Sequence, residues 1–326
     1  MSHEIGTTFI NKQFFRYDEF VAFRESSAEL LQCVHQFEAS LMIGEIFHLR
    51  GMCNVCARQV LFHIDYEYAL EAPSGAKWPN FRERVICPYC ELNTRMRLVV
   101  AEMLSRSSTR SAIYLTEALT PLFRIMKAKR PNALGSEFLR DGTPNGKSNK
   151  DGVRREDVTA LTFPDRSFDV VGTFDVLEHV PDYRAAQREL YRIIKPGGSL
   201  VLTVPIDCGN RDSVKRAEIS PTGDVVHLLP PEIHGDPLDT AGGVLAFYNF
   251  GWDFMDGLSE AGFSNVAVSV CWSPAGGIIG GLQPMILAEK PRAGFRFPQF
   301  MRRSTAIPRI STRNADQRQD FGPPQS

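Results

Sequence analysis

The sequence predicts an α/β fold built on a doubly wound, mostly parallel sheet, preceded by an N-terminal helix and a small zinc-ribbon-like module. Short apolar runs alternate with amphipathic segments from residue 111 onward, which is typical of a parallel sheet with helices on both faces. Two Cys-x-x-Cys pairs lie between residues 53 and 90. The composition, 43% hydrophobic and 23% charged over 326 residues, is that of a globular protein with roughly two domains.

The charge balance argues against a chain that is drawn to polyanions. The 37 Lys and Arg residues face 38 Asp and Glu residues, so there is no overall basic field for nucleic acid or an anionic membrane. No apolar run approaches the roughly 20 residues that span a bilayer. The N-terminus lacks a basic segment followed by an apolar one. We therefore expect a cytoplasmic protein without a membrane span.

The first hundred residues are expected to form two units, residues 1–45 and 46–105. Apolar residues recur at three- and four-residue steps over residues 17–43, which predicts one helix. The second unit holds the cysteine pairs, with a strand predicted at residues 60–64 and a helix over residues 92–104.

The third unit, residues 106–290, carries the alternating pattern. Strands are predicted at residues 112–115, 132–139, 168–174, 199–204, 265–272 and 285–290. Helices are predicted at residues 183–194 and 252–261, and another begins at Thr120-Pro121, with Thr as N-cap. Residues 205–250 show no regular pattern, and residues 291–326, with seven Arg and two Asp, are expected to be a disordered basic tail.

The paired cysteines are candidate metal ligands: Cys53, Cys56, Cys87 and Cys90. Two short Cys-x-x-Cys loops can place four thiolates around one tetrahedral zinc ion, and such a closed set is structural rather than catalytic. A redox pair or a metal-free cluster are the alternatives. Redox motifs of this kind sit between a strand and a helix and do not come with a second pair, so we predict structural zinc.

Several motifs follow one another within residues 157–204. They read Asp-Val-Thr-Ala-Leu (157–161), Phe-Pro-Asp (163–165), Ser-Phe-Asp-Val-Val (167–171), Phe-Asp-Val-Leu-Glu-His (174–179) and Lys-Pro-Gly-Gly (195–198). This run resembles the second half of the class I S-adenosylmethionine-dependent methyltransferase domain, of the methyltransferase type 11 group. The resemblance covers about residues 111–290 and implies a seven-stranded Rossmann-like sheet. With the cysteine segment in front, the chain is similar to bacterial zinc-containing methyltransferases.

The resemblance implies a set of cofactor-binding residues. Glu137 takes the position whose carboxylate accepts the ribose hydroxyls, and Glu117 takes the position near the methionine amino group. Asp157 and Val158 match the residues that face the adenine, and Asp175 lies beside the cofactor at a strand end. The alternative for each carboxylate is a solvated loop side chain or a helix cap.

One departure from the family concerns the loop after the first strand of the domain. The family usually has a glycine-rich loop there, whereas residues 115–121 contain no glycine. The same absence argues against a nicotinamide enzyme, whose glycines seat a pyrophosphate. The departure keeps open an alternative in which the chain is a catalytically inactive, methyltransferase-like zinc scaffold.

A general base is needed only where the methyl acceptor must lose a proton, as a hydroxyl does. His234 and His179 are the candidates that we favour, because a neutral imidazole suits this role near pH 7. His227 and Tyr248 are further candidates, and structural packing is the alternative for all four. The irregular residues 205–250 are where the fold places acceptor recognition.

The predicted function is methyl transfer from S-adenosylmethionine to a small-molecule or glycan-type acceptor, by O-methylation. Besides the inactive scaffold, a nucleic-acid methyltransferase with the zinc module as reader is an alternative. Four arginines around the second cysteine pair would then contact phosphate: Arg82, Arg84, Arg95 and Arg97. The neutral net charge argues against this alternative.

Overall fold

A seven-stranded mixed sheet forms the centre of the structure, a computed structural model that describes residues 9–71, 75–236 and 239–292. Its strands are β1 (Ile10–Phe14), β2 (Ile113–Leu115), β3 (Ala133–Gly135), β4 (Phe168–Phe174), β5 (Ile194–Thr203), β6 (Ser264–Ser273) and β7 (Ile278–Glu289). They lie in the order β1-β6-β7-β5-β4-β2-β3. The pairs among β5, β4, β2 and β3 are parallel, and the other three pairs are antiparallel. The predicted seven-stranded α/β sheet is confirmed, with its parallel pairing confined to one half.

Helices cover both faces of this sheet. They are α1 (Tyr17–Ser26), α2 (Ala28–Leu41), α3 (Phe81–Arg84), α4 (Thr94–Ser105), α5 (Pro121–Lys129), α6 (Tyr183–Ile193) and α7 (Asp253–Ala261). Consecutive strand residues point to opposite faces, and both Val170 and Val171 are buried. The predicted cap of α5 is present, since Thr120 Oγ1 accepts a hydrogen bond from the Phe123 amide. No helix among the described residues is long and apolar enough to cross a bilayer.

The single helix predicted over residues 17–43 is wrong, because the structure has two helices, α1 and α2, that meet at Ser27. The Ser26 hydroxyl donates to the carbonyl oxygens of Ala22 (2.8 Å) and Phe23 (3.1 Å) at the end of α1. Serine side chains compete in this way with the helical backbone bonds. The apolar period continues across the break, which is why periodicity alone joined the two helices.

The N-terminal segment is joined to the sheet by a strand that the sequence did not indicate. β1 pairs with β6, with Ile10 opposite Trp272. Glu38 of α2 is buried and accepts three hydrogen bonds on Oε1, from Trp272 Nε1 (2.8 Å) and the amides of Gly280 (2.7 Å) and Gly281 (2.9 Å). This carboxylate fixes α2 to the neighbouring strands.

The cysteine module packs against the turn between β6 and β7. Its two longer strands, Phe47–Cys53 and Arg58–Ile64, are antiparallel, and the second contains the predicted strand. Arg97 of α4 donates to the carbonyl oxygens of Gly276 and Gly277, both at 2.7 Å.

The residues between β5 and α7 form three two-stranded ribbons, so the expectation of an irregular segment is wrong. These ribbons pair Val214–Lys215 with Tyr248–Asn249, Ala217–Ile219 with Val225–His227, and Ile233–Asp236 with Asp239–Leu245. Such short strands leave too few residues for a periodic signal.

The basic tail predicted for residues 291–326 lies outside the described residues from residue 293 onward. The proposed boundaries at residues 45, 105 and 290 stay a prediction.

Candidate functional site

Acidic side chains follow three neighbouring parallel strands at the edge where these strands end. Glu117 lies two residues after β2, Glu137 two residues after β3, and Asp175 directly after β4. Ligands of doubly wound sheets bind beyond this edge. The negative charges of Glu137 and Asp175 lie close enough to raise the pKa of Glu117, although burial has a larger effect. The structure therefore brings together three of the residues predicted to bind the cofactor.

The loop after β2 keeps its shape without a glycine. None of residues 116–120 has a positive φ, so this backbone conformation is open to residues with a Cβ. Glu137 holds the loop, because its Oε1 accepts hydrogen bonds from the amides of Ala118 (2.7 Å) and Leu119 (3.0 Å). The glycine that allows close approach is on β3, where a Cβ on Gly135 would lie 2.4 Å from a carbonyl oxygen of this loop.

Glu117 has a buried carboxylate oxygen that lacks a compensating donor. Its Oε1 is inaccessible to solvent and has no hydrogen-bond partner among the described residues. Burial raises the pKa of Glu117 to about 7, although the Thr120 hydroxyl and the Arg95 charge act in the opposite direction. An unpaired carboxylate removed from water costs free energy, and a cation beside it lowers that cost. Glu117 is therefore suited to receive a positively charged ligand group.

Asp175, in contrast, is paired with two arginines from the segment around the second cysteine pair. Arg82 donates to both Asp175 carboxylate oxygens, at 2.9 and 2.8 Å, and Arg95 Nε lies 3.1 Å from Oδ2. Burial raises the pKa of Asp175, but the Arg95 and Arg82 charges outweigh burial and hold the pKa below its usual range. Glu83 pairs with the same two arginines. The two guanidinium charges are thus matched by two carboxylates, and the Arg95 charge acts on Glu117 only as a secondary influence on its pKa.

The arginines that the sequence suggested as phosphate contacts are engaged inside the protein. Arg84 binds Asp65 through two hydrogen bonds, at 2.7 and 2.5 Å, and Arg97 is fully buried. Together with the pairing of Arg82 and Arg95, these contacts commit the guanidinium groups to partners in the same chain. All four arginines are therefore at least partly buried and bonded within the chain.

Asp157 and Val158 lie in a turn near the end of β3. Asp157 Oδ1 accepts hydrogen bonds from the Thr159 amide (2.8 Å) and hydroxyl (2.6 Å), and Val158 is buried. An isolated parallel bridge between Glu137 and Arg155 brings this segment beside the end of β3. The Asp157 contacts shape the turn, and the adenine-facing role stays a prediction.

A second uncompensated carboxylate, Glu178, lies in the 3-10 turn Leu177–His179 that follows β4. The residue is 0% exposed, and neither of its carboxylate oxygens has a hydrogen-bond partner within the described part of the chain. Burial raises the pKa of Glu178 well above its ordinary value, and the Asp175 charge adds to this. Glu178 is not among the residues predicted from the sequence, because a Glu in a turn after a strand gives no sign that it will be buried without a donor.

The two histidines predicted as proton acceptors converge on Glu178. His179 Nε2 lies 3.6 Å and His234 Nδ1 lies 3.8 Å from Glu178 Oε1. His179 Nδ1 is 2.9 Å from the Leu245 carbonyl oxygen, and His234 Nε2 is 2.9 Å from Glu232 Oε1. Because these oxygens only accept, each neutral ring carries its proton on the nitrogen that faces away from Glu178. The basic nitrogens of both rings therefore face Glu178.

The other two candidates for the base lie elsewhere in the ribbons. His227 is exposed, and the Tyr248 hydroxyl donates to the Pro181 carbonyl oxygen at 2.9 Å. The structure therefore joins His179 and His234 in one cluster, which the sequence could only suggest as separate candidates.

The predicted zinc ligands also form a cluster. Cys53 Sγ lies 3.8 Å from Cys90 Sγ, and Cys56 Sγ lies 3.9 Å from Cys87 Sγ. All four sulfur atoms lie within 4.8 Å of one another, and all four cysteines are free of disulfides. Tetrahedral zinc with bonds of about 2.3 Å separates its sulfur ligands by about 3.8 Å. The donor set and spacing thus fit a zinc ion held entirely by the protein.

Arg97 lies in the electrostatic field of this cluster. Burial lowers the pKa of Arg97 to about 10, while the charges of Cys53 and Cys90 oppose that shift. Four thiolates around Zn²⁺ carry a net charge of about −2. A buried guanidinium nearby offsets part of that charge and also links the module to the turn between β6 and β7.

Comparison with known proteins finds a family model described as a methyltransferase domain, which matches residues 135–202. A 2-methyl-6-phytyl-1,4-hydroquinone methyltransferase from Synechocystis sp. is 46% identical over 57 residues, which are 18% of this chain and 17% of the relative. A demethylmenaquinone methyltransferase from Listeria welshimeri is 55% identical over 40 residues, 12% of this chain and 17% of the relative. The chain thus matches 17% of the length of each of these curated relatives.

Two solved structures align with more than half of this chain. An S-adenosylmethionine-dependent methyltransferase from Mesorhizobium loti has a TM-score of 0.35 and 15% identity, covering 60% of this chain and 97% of the other. One from Methanosarcina mazei has a TM-score of 0.35 and 15% identity, covering 59% and 97%. The family match overlaps most of the run of motifs, residues 157–204, that carried the resemblance. The resemblance is therefore confirmed where the family model matches, over residues 135–202 of this chain.

Proposed function

We propose that this protein transfers a methyl group from S-adenosylmethionine to a small-molecule acceptor. Glu117 is the observation that carries the proposal, since among the described residues its buried Oε1 has no donor at the edge where ligands of this fold bind. S-adenosylmethionine has an ammonium and a sulfonium group, so it can place positive charge beside this oxygen. When bound, it supplies an electrophilic methyl group on the sulfonium.

We propose that different residues at this edge of the sheet bind different parts of the cofactor. Glu117 would pair with the ammonium group and Glu137 would accept the ribose hydroxyls. Asp157 and Val158 would face the adenine. Asp175, already neutralised by arginines, would line the site without adding a further unpaired charge. The loop after β2 fits this role without glycine, because Glu137 and Gly135 already set its path.

The cysteine module supports this site through its arginines. Arg82 and Arg95 reach Asp175 from the segment that includes α3 and the start of α4. We propose that a structural zinc ion at the four cysteines holds this segment in place. Thiolate-bound zinc requires reduced cysteines, which supports a cytoplasmic location.

The acceptor is proposed to be a hydroxyl compound with an apolar portion. His234 and His179 lie beside the strand ends, and the basic nitrogen of either ring can accept the hydroxyl proton as oxygen attacks the methyl group. The ribbons around His234 expose apolar side chains, namely Val225, Val226, Leu228, Leu229 and Ile233. The named relatives act on a phytyl-hydroquinone and a demethylmenaquinone. Both observations favour a quinone-like small molecule over a glycan.

Titration of the zinc-loaded protein with S-adenosylmethionine in a calorimeter tests the proposal. We expect a micromolar dissociation constant, and a loss of at least tenfold in Glu117→Gln, because removing one charged partner costs roughly 1.5–3 kcal/mol. Asp141→Asn, an exposed carboxylate on the loop after β3, is the control and should bind like wild type. Undetectable binding by the folded wild type would instead support the inactive scaffold.

A further inference from the structure

The cluster of Glu178 and the two facing histidines has the composition of a metal site. We propose that Glu178, His179 and His234 bind one divalent transition-metal ion, distinct from the zinc ion of the four cysteines. The ligand atoms, one carboxylate oxygen and two imidazole nitrogens, lie within 4.8 Å of one another. Two histidines and one carboxylate are a known donor set for divalent iron and related metals, with further coordination positions open.

The orientation of both imidazoles is set for a ligand between them. The His179 Nδ1 hydrogen bond to the Leu245 carbonyl and the His234 Nε2 hydrogen bond to Glu232 leave the opposite nitrogens directed at Glu178. Metal-bound histidines are typically held by such contacts from the nitrogen that does not bind the metal. An ion with bonds of about 2.1 Å separates neighbouring ligand atoms by about 3.4 Å in a tetrahedral site or about 3.0 Å in an octahedral one. The distances of 3.6 and 3.8 Å to Glu178 Oε1 would therefore shorten on binding.

Glu178 itself provides an independent reason to expect a cation. Among the described residues no donor reaches either oxygen of this fully buried carboxylate, which is costly. The guanidinium charges that act on Glu178, those of Arg82 and Arg95, are also paired with Glu83 and Asp175. A divalent cation would compensate the carboxylate and would accept the electron pairs of both imidazoles.

Such an ion would act on the acceptor, which deepens the function proposed above. An acceptor hydroxyl bound at an open coordination position has a lowered pKa, so its proton can pass to water while oxygen keeps the electron pair. The two histidines are then ligands instead of proton acceptors. This catalytic role rests on the proposed function, whereas binding of the ion does not. It also favours acceptors that present an oxygen ligand, as a hydroquinone does.

Binding of Mn²⁺ to the zinc-loaded protein, without S-adenosylmethionine, tests the proposal. The electron paramagnetic resonance signal of free Mn²⁺ falls as the ion binds, which gives both stoichiometry and affinity. We expect one equivalent bound by wild type, and affinities at least tenfold weaker in Glu178→Gln and His234→Ala. His227→Ala, an exposed histidine from the same ribbons, is the control and should bind like wild type.

Wild-type protein that binds no Mn²⁺ at millimolar concentration would overturn the metal site, as would Glu178→Gln binding with wild-type affinity. Thermal unfolding of each variant confirms that it is folded. Because S-adenosylmethionine is absent from this titration, a negative result here leaves the cofactor titration standing, and a failed cofactor titration leaves the metal result standing.

Discussion

Replacing Cys87 with Ser is expected to release the zinc ion and to lower the unfolding temperature by about 10 °C, which corresponds to several kcal/mol for a chain of this size. Cys87 is fully buried and its thiol is one of the four that form the cluster, so serine at this position leaves only three thiolates for the ion. Structural zinc contributes its binding free energy directly to folding. Metal analysis and thermal unfolding measure the two effects.

The loss of zinc should also weaken binding at the proposed cofactor site. Without zinc, we expect the segment that carries α3 to shift, so that Arg82 pairs less well with Asp175. We therefore expect S-adenosylmethionine to bind at least tenfold more weakly to Cys87→Ser. Cys33→Ser, a cysteine outside the cluster, should keep zinc and affinity. A wild-type protein with less than about half an equivalent of zinc as purified would contradict the structural role.

Glu137→Ala is expected to weaken S-adenosylmethionine binding by about 30- to 100-fold, or 2–3 kcal/mol. The change removes the proposed ribose partner and also leaves the amides of Ala118 and Leu119 without their acceptor. Calorimetry provides the affinity, and thermal unfolding reports how much the loop contributes to stability.

Glu137→Gln separates these two effects. Its amide oxygen can still accept from the loop, so the loop should persist, while a neutral group binds the ribose hydroxyls less strongly. We expect an affinity between those of wild type and Glu137→Ala. Unchanged affinity in Glu137→Ala would remove Glu137 from the cofactor site.

The sequence predicted most of the fold because local signals and tertiary packing agree there. Short apolar runs gave β4 and β5, and Thr120-Pro121 marked the start of α5. Where the signal was local but ambiguous, the prediction failed. The apolar period runs on past Ser26 and Ser27 although α1 ends there, and β1 is too short to show a period of its own.

The sequence indicated which carboxylates share the edge of the sheet, but not which positive charges pair with them. Glu117, Glu137 and Asp175 follow strands, so their common edge could be inferred from topology. Arg82 and Arg95 looked like surface residues, since nothing in the sequence places them against Asp175. Neither carboxylate oxygen of Glu178 has a hydrogen-bond donor among the described residues. This depends on tertiary packing, because only the folded structure determines which donors lie near a buried side chain.

Glu117 is proposed to pair with a cationic group of the cofactor, and the number of protons released on binding measures this pairing directly. At pH 7, a carboxyl group with a pKa of about 7 is half protonated. A cation beside it favours the ionised form, so binding should expel about half a proton and tighten as the pH rises from about 6 to 8. Arg95, Glu137 and Asp175 also influence this titration, but they remain in the Gln variant.

Calorimetric titration with S-adenosylmethionine at pH 7, in two buffers of different ionisation enthalpy, measures this proton count. Wild type is expected to release about half a proton more than Glu117→Gln, because the cofactor's own ionisation is common to both. Equal proton release by the two proteins, or equal affinity for the cofactor, would show that Glu117 does not pair with a cationic group of the cofactor.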